Sequence, residues 1–227
     1  MKKVMQMFLA LVVLLLFVFP IASPAATIWD QQYGGGDVFI PSQNVTDFDA
    51  YSAYGFDDFM TTQTWLVNSL IVPGTDYTAD LSIPVSVHAQ ILTGLPGSGS
   101  VVLSSTGGTK NSDGSLSIDF GGQSLAAGDY WISAWMEGPY FDEFNPQTLW
   151  LWNATAYSFG SEAHWYNPGG GFAIGPDPIG VSAVLGEPFD LAFTLEGTAT
   201  AVPEPSIMLL FGSGLLGLAA LRKTVKN

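Results

Sequence analysis

Residues 81–91 read LSIPVSVHAQI, and the fold class turns on this stretch. Leu81, Ile83, Val85, Val87, Ala89 and Ile91 alternate with Ser82, Pro84, Ser86, His88 and Gln90. Successive side chains of a strand point to opposite faces, so an alternation this long describes a half-buried β-strand with one wet face. Pro84 has no N–H to give a ladder, which places it at a sheet edge or a bulge. His88 falls on the polar face, where a solvated surface histidine is expected.

The same period continues outward in both directions. Upstream, Trp65, Leu66, Val67, Leu70, Ile71 and Val72 form a buried strand that stops at the Pro73-Gly74 turn signal. Downstream, Val101 to Leu103 is a short strand, and Leu116, Ile118 and Phe120 alternate with Ser115, Ser117 and Asp119. Gly121-Gly122 and Gly128-Asp129 are turn punctuation after that strand. Tyr130 to Met136, YWISAWM, is apolar on both faces, as a central sandwich strand would be. Leu149 to Trp152 is a further strand, and Asn153 to Gly180 is mostly loop. Phe189, Leu191, Phe193 and Leu195 alternate with Asp190, Ala192, Thr194 and Glu196 in the last one.

Eight to eleven short strands with frequent turn signals, and no sustained 3.6-residue period, predict an all-β domain. The expected architecture is an antiparallel, jelly-roll-like β-sandwich over residues 26–197, followed by a small-residue linker at 198–202. The 227-residue chain has no cysteine, which excludes disulfides, thiolate metal sites and cysteine nucleophiles. Between Ala26 and Ala201 there are nineteen acidic residues and one base, Lys110, a formal charge of −18. Such a surface does not suit nucleic acid, whose phosphates need clustered Lys or Arg.

The other five bases flank two apolar runs at the ends. Lys2 and Lys3 precede an apolar run from Val4 to Phe19, and the small residues Ala22-Ser23-Pro24-Ala25-Ala26 come after it. This order describes a signal peptide over residues 1–25, cleaved after Ala25; an uncleaved anchor is the alternative. At the other end, VPEPSIMLLFGSGLLGLAALRK carries Pro203-Glu204-Pro205, then sixteen uncharged residues from Ser206 to Leu221, then Arg222 and Lys223. Sixteen helical residues span about 24 Å. A hydrocarbon core is about 30 Å thick, a gap that Arg222 and Lys223 can narrow by snorkelling. Bases stay on the cytoplasmic side of membrane segments, so both ends are expected inside and the acidic domain outside.

These residues resemble the PEP-CTERM sorting domain of Gram-negative bacterial surface proteins. Pro203, Glu204 and Pro205 match its signature, residues 206–221 its transmembrane helix, and Arg222 and Lys223 its basic stop; the signal would occupy residues 203–227. The resemblance implies processing by exosortase, a membrane-embedded cysteine peptidase. It also implies a single-pass inner-membrane stage with the domain in the periplasm, then a place on the cell surface or in the extracellular matrix, in company with exopolysaccharide and biofilm. Signal peptidase and the secretion translocon would act earlier. The three motif residues would then be recognised rather than catalytic. Two prolines hold the chain extended where a protease needs an unfolded strand.

No HExxH, GxSxG, Walker loop or dinucleotide fingerprint occurs, and no catalytic residues or cofactors are expected. The expected function is structural or adhesive rather than enzymatic, with a lectin-like carbohydrate-binding module as the alternative and a glycan-active enzyme behind it. Tyr140, Phe141, Phe144 and Trp165 sit in loop-like segments and are the expected sugar-stacking rings. Asp47, Asp49, Asp57 and Asp58 are weak calcium candidates, since hard oxygen ligands suit that ion, although their spacing matches no EF-hand.

Overall fold

Burial alternates along the stretch that set the fold class. Val87, Ala89 and Ile91 are at most 1% exposed, whereas His88 and Gln90 between them are half-buried. The computed structural model describes residues 25–35, 38–77, 85–139, 149–155 and 159–199. The expected signal peptide through residue 24, the sorting signal with its membrane helix, and Leu81 to Pro84 lie outside the described residues. No helix among the described residues is long and apolar enough to cross a membrane.

The domain is all-β. In chain order its early strands are β1 (Ala26–Gln31), β2 (Phe39–Pro41), β3 (Gln43–Val45), β4 (Tyr54–Thr61) and β5 (Trp65–Val72). Next come β6 (Gly74–Asp76), β7 (Ser86–Leu92), β8 (Val101–Ser105), β9 (Gly108–Lys110) and β10 (Leu116–Leu125). The last are β11 (Gly128–Gly138), β12 (Trp150–Asn153), β13 (His164–Tyr166), β14 (Ile179–Gly180) and β15 (Phe193–Ala199). A single-turn helix, α1 (Val181–Leu185), ends at Gly186, whose φ of 89° is open to glycine without strain.

One sheet has the order β1-β15-β5-β10-β9, and a second runs β14-β13-β4-β11-β7-β8. A small third sheet is β2-β12-β6. Pairing is antiparallel throughout the two larger paths; β3, which lies beside β11, pairs with it in parallel. Chain neighbours β4 and β5 lie in different sheets, as do β10 and β11, so the chain repeatedly crosses between layers. The inner faces share one core. There Phe59 of β4 stacks on Trp65 of β5 with ring centroids 6.2 Å apart, and meets Phe193 of β15 edge-on at 6.0 Å. Each side chain of this size contributes about 1.5–3 kcal/mol on burial, which is why the alternating positions hold the layers together.

Three features differ from the expectation. Thr27 to Asp58, where the sequence pattern named no particular strand, holds most of β1, all of β2 and β3, and the start of β4. Gly, acids and aromatics break the alternation there, and the strands are specified by partners far along the chain. Gly121 and Gly122, expected as a turn, lie inside β10 with φ of 66° and 73°. The pairing with β5 slips between Asp119 and Gln123, so the two glycines form a bulge, and Leu125 returns to the core. Residues 198 and 199, expected in the linker, continue β15: Thr198 pairs with Leu66 and Ala199 with Trp65. Gly197 is needed just before them, because a Cβ there would sit 2.1 Å from the Leu66 carbonyl oxygen.

Candidate functional site: an aromatic face on the β4–β11–β7 sheet

Strand β11 sorts its side chains by parity. Tyr130, Ile132, Ala134 and Met136 enter the core, and Trp131, Ser133, Trp135 and Glu137 take the other face. Register then sets Trp135 opposite His88 of β7, and Tyr54 of β4 opposite Tyr166 of β13. The result is a ladder of rings across four neighbouring strands. His88 stacks on Trp135 with centroids 5.4 Å apart and planes 11° from parallel. Trp135 meets Tyr54 edge-on at 5.5 Å, and Tyr54 lies 6.2 Å from Tyr166. All four residues are half-buried, and the Nε2 edge of His88 is itself buried, without a hydrogen-bond partner.

A groove of about 460 Å³ opens beside this ladder, lined by Tyr54, Trp135, Tyr166, Gln90, Leu92 and Pro96 among others. Polar groups brace one end. The Tyr54 hydroxyl donates to Asn44 Oδ1 at 3.2 Å, and Asn44 Nδ2 donates to Glu137 Oε2 at 3.0 Å. Burial, with Glu137 nearby, raises the Tyr54 hydroxyl above the usual phenol range, so it remains a neutral donor. His88 Nε2 lies 3.6 Å from Glu137 Oε2, too far for a direct hydrogen bond. His88 is therefore a partly buried member of the ladder, not the freely solvated histidine expected from its polar-face position.

The acidic residues build a different feature in the middle of β4. Asp57 turns inward and is fully buried. Its Oδ2 accepts hydrogen bonds from Gln31 Nε2 at 2.9 Å and from the Leu191 N–H, and its Oδ1 accepts the Asp58 N–H at 2.9 Å. Burial raises its carboxyl well above the usual range; neighbouring Asp190 adds to this, and the two backbone N–H groups oppose it. Asp190, 2% exposed, accepts the Phe159 N–H and is pushed up to about 6, chiefly by burial. Asp58 turns outward and accepts the Ser161 N–H on both oxygens, at 3.1 and 3.2 Å; burial raises its carboxyl too.

Adjacent strand residues face opposite ways, so Asp57 and Asp58 do not share an ion. Asp49 begins a short 3-10 turn, Asp49–Tyr51, and Asp47 lies just before it. Among the described residues no group of three or more His, Asp or Glu is arranged to hold a metal, so the four calcium candidates are not brought together.

Trp165, expected in an exposed loop, is corrected by the structure. It lies on β13 and is 6% exposed, with Nε1 donating to the Pro41 carbonyl at 3.0 Å. Short, Gly- and Pro-flanked β13 carries too little pattern to reveal which of its faces is inward. Its neighbours His164 and Tyr166 take the outer face instead, where Trp131 meets His164 edge-on at 5.1 Å. Tyr140, Phe141 and Phe144 lie outside the described residues, as do Pro203, Glu204, Pro205, Arg222 and Lys223. The ladder itself was half legible: YWISAWM places Trp131 and Trp135 on one face, but only register supplies His88, Tyr54 and Tyr166.

Beyond the domain, the family model of the PEP-CTERM protein-sorting motif matches residues 201–223. The chain carries a PEP-CTERM sorting motif. The motif implies a protein that is anchored in the membrane and then exported, with an exosortase as its processing partner. The matched residues take in Pro203-Glu204-Pro205, the apolar run and the first two bases, Arg222 and Lys223, and stop short of residues 224–227. No curated protein matches the chain.

Proposed function

We propose that this is a non-catalytic surface or matrix protein, exported, held briefly by its C-terminal helix and released or transferred after exosortase cleavage near residues 203–205. Its β-sandwich is the delivered cargo and acts structurally or adhesively in an exopolysaccharide setting. The sorting-motif match at residues 201–223, directly after the last core strand, is the observation that carries this reading. The strand order supports a jelly roll. With only β1, β4, β5, β7, β8, β10, β11 and β15 counted, each sheet interleaves distant strands, β1-β15-β5-β10 and β4-β11-β7-β8, as two Greek keys do.

Fractionation of cells carrying an epitope inserted in the 94–99 loop tests the proposal. The wild-type protein is expected in the membrane and then in the surface or medium fraction at reduced mass. Replacing Pro203, Glu204 and Pro205 together by alanine is expected to hold it in the membrane uncut. An intact protein in the cytosol would overturn the assignment. Lectin-like binding is the second reading, favoured by the ring ladder on the β4–β11–β7 face.

A further inference from the structure

We propose that the groove beside Trp135 is a binding site for a neutral glycan chain, with Tyr54, Trp135 and Tyr166 as its apolar platform and Gln90 as its polar contact. The proposal rests on the lectin-like reading and gives it a place in the fold.

Three properties of the groove point to this occupant. The first is its mixed chemistry. A pyranose has a C–H face that packs on an aromatic edge or face and hydroxyls around its rim that need hydrogen-bond partners. The groove offers half-buried rings, two of them tyrosines, and one amide side chain, Gln90. Gln90 supplies both a donor and an acceptor at the groove wall.

The second property is extent. The ladder runs through His88, Trp135, Tyr54 and Tyr166 across four strands, which at strand spacing is about 14 Å. That is the length of an oligosaccharide segment, not of one sugar. Neighbouring strands fix the rings by cross-strand packing, and braced rings lose little conformational freedom on binding.

The third is charge. The Ala26–Ala201 segment carries −18 with Lys110 as its sole base. Lys110 is engaged with Asp76, with 2.5 Å between Nζ and Oδ1. Glu137 stands at the braced end of the ladder. Uronate, sulfate or phosphate groups would meet repulsion there, and nucleic acid likewise. A neutral chain meets none.

Affinity electrophoresis of the full chain tests the site, with the protein in a polyoxyethylene detergent that has no sugar headgroup. Native gels would contain hydroxyethylcellulose, galactomannan, dextran or, as the anionic comparison, alginate. Retardation is expected in at least one neutral gel and not in alginate. Trp135→Ala is expected to weaken it at least about tenfold, as loss of a central tryptophan does in other interfaces. Gln90→Ala, which removes no ring, is expected to weaken it less. Leu185→Ala, at a separate groove beside Phe39, is expected to change nothing. A thermal melt accompanies each variant, and Gln90→Ala provides the test if Trp135→Ala does not fold.

Retardation unaffected by both groove variants would overturn this site while leaving lectin-like binding in place. No retardation in any neutral gel would overturn both. Retardation in alginate alone would overturn the neutral ligand class. Self-association abolished by Trp135→Ala, without retardation, would make the face a contact between copies and overturn the glycan assignment.

Discussion

Gln31 on β1 donates its side-chain amide to Asp57 on β4 at 2.9 Å, joining the two main sheets by a hydrogen bond inside the core. Gln31 Oε1 in turn accepts from Trp29 Nε1 at 3.2 Å. Asp57 also takes the Leu191 N–H just ahead of β15, so one carboxyl gathers the first strand, the last strand and the sheet that faces them.

Removing that carboxyl should be severe. Asp57→Ala leaves a side-chain amide and two backbone N–H groups buried without an acceptor, at about 1–3 kcal/mol for each. A loss of about 3–5 kcal/mol is expected, read as the shift in urea midpoint. Asp57→Asn should lie between the wild type and alanine, because it must turn one N–H₂ toward a donor. A midpoint unchanged in Asp57→Ala would show that the three donors find other partners.

The raised carboxyls also set the sign of the pH response. Asp190 is pushed up to about 6 in the folded chain, against 3.8 as its ordinary value. The folded state therefore binds more protons between those values, and stability falls as pH rises through about 6. Asp57 and Asp58 are shifted the same way. Asp113 is shifted down by its Ser115 hydrogen bonds, but it stays ionised at pH 5 and contributes nothing to the window from 5 to 7. The melting temperature should be higher at pH 5 than at pH 7 in low salt. Asp190→Asn, which can still accept the Phe159 N–H, should narrow the difference. A lower melting temperature at pH 5 would contradict this account.

Lys110 should matter more than a surface lysine. Lys110 and Asp76 side chains are each 10% exposed, and the pair ties β9 to β6. Lys110→Met keeps the aliphatic stem and leaves Asp76 shielded without its cation, a change that costs about 3–5 kcal/mol when such pairs are buried. Lys110→Met with Asp76→Asn should recover part of the loss. Chemical denaturation of the two single variants and the double variant gives the coupling directly.

Gly74 lies under the Trp150 ring. A Cβ added there would come within 2.2 Å of the indole, whose Nε1 donates to the Gly114 carbonyl at 2.8 Å. Gly74→Ala is therefore expected to displace Trp150, lower stability by about 1–3 kcal/mol and red-shift tryptophan emission as the ring moves. Gly107→Ala, where a Cβ would meet nothing within 4 Å, is the comparison and should be near neutral.

The strands with regular alternation were legible wherever one face is wet and the other dry. Val87, Ala89 and Ile91, and likewise Leu116, Ile118 and Phe120, are buried as their spacing requires. Asp190 broke the same rule: it occupies a polar position beside Leu191 and is nonetheless buried, because it accepts the Phe159 N–H rather than facing water. Trp165 failed for a related reason, since a tryptophan in a short strand between turns carries no period to read.

Sequence was enough for the all-β class and for the sorting motif. Parity along a strand is a local property, and so is the order of motif, apolar run and bases at residues 201–223. Neither needs a partner from elsewhere in the chain. Which rings stand side by side and which carboxyls lose their water depends on the folded arrangement. His88, Trp135, Tyr54 and Tyr166 come from four segments, and Gln31, Asp57 and Leu191 from three. Only strand register and sheet packing bring such distant residues within a few ångströms, and no spacing within one segment encodes that meeting.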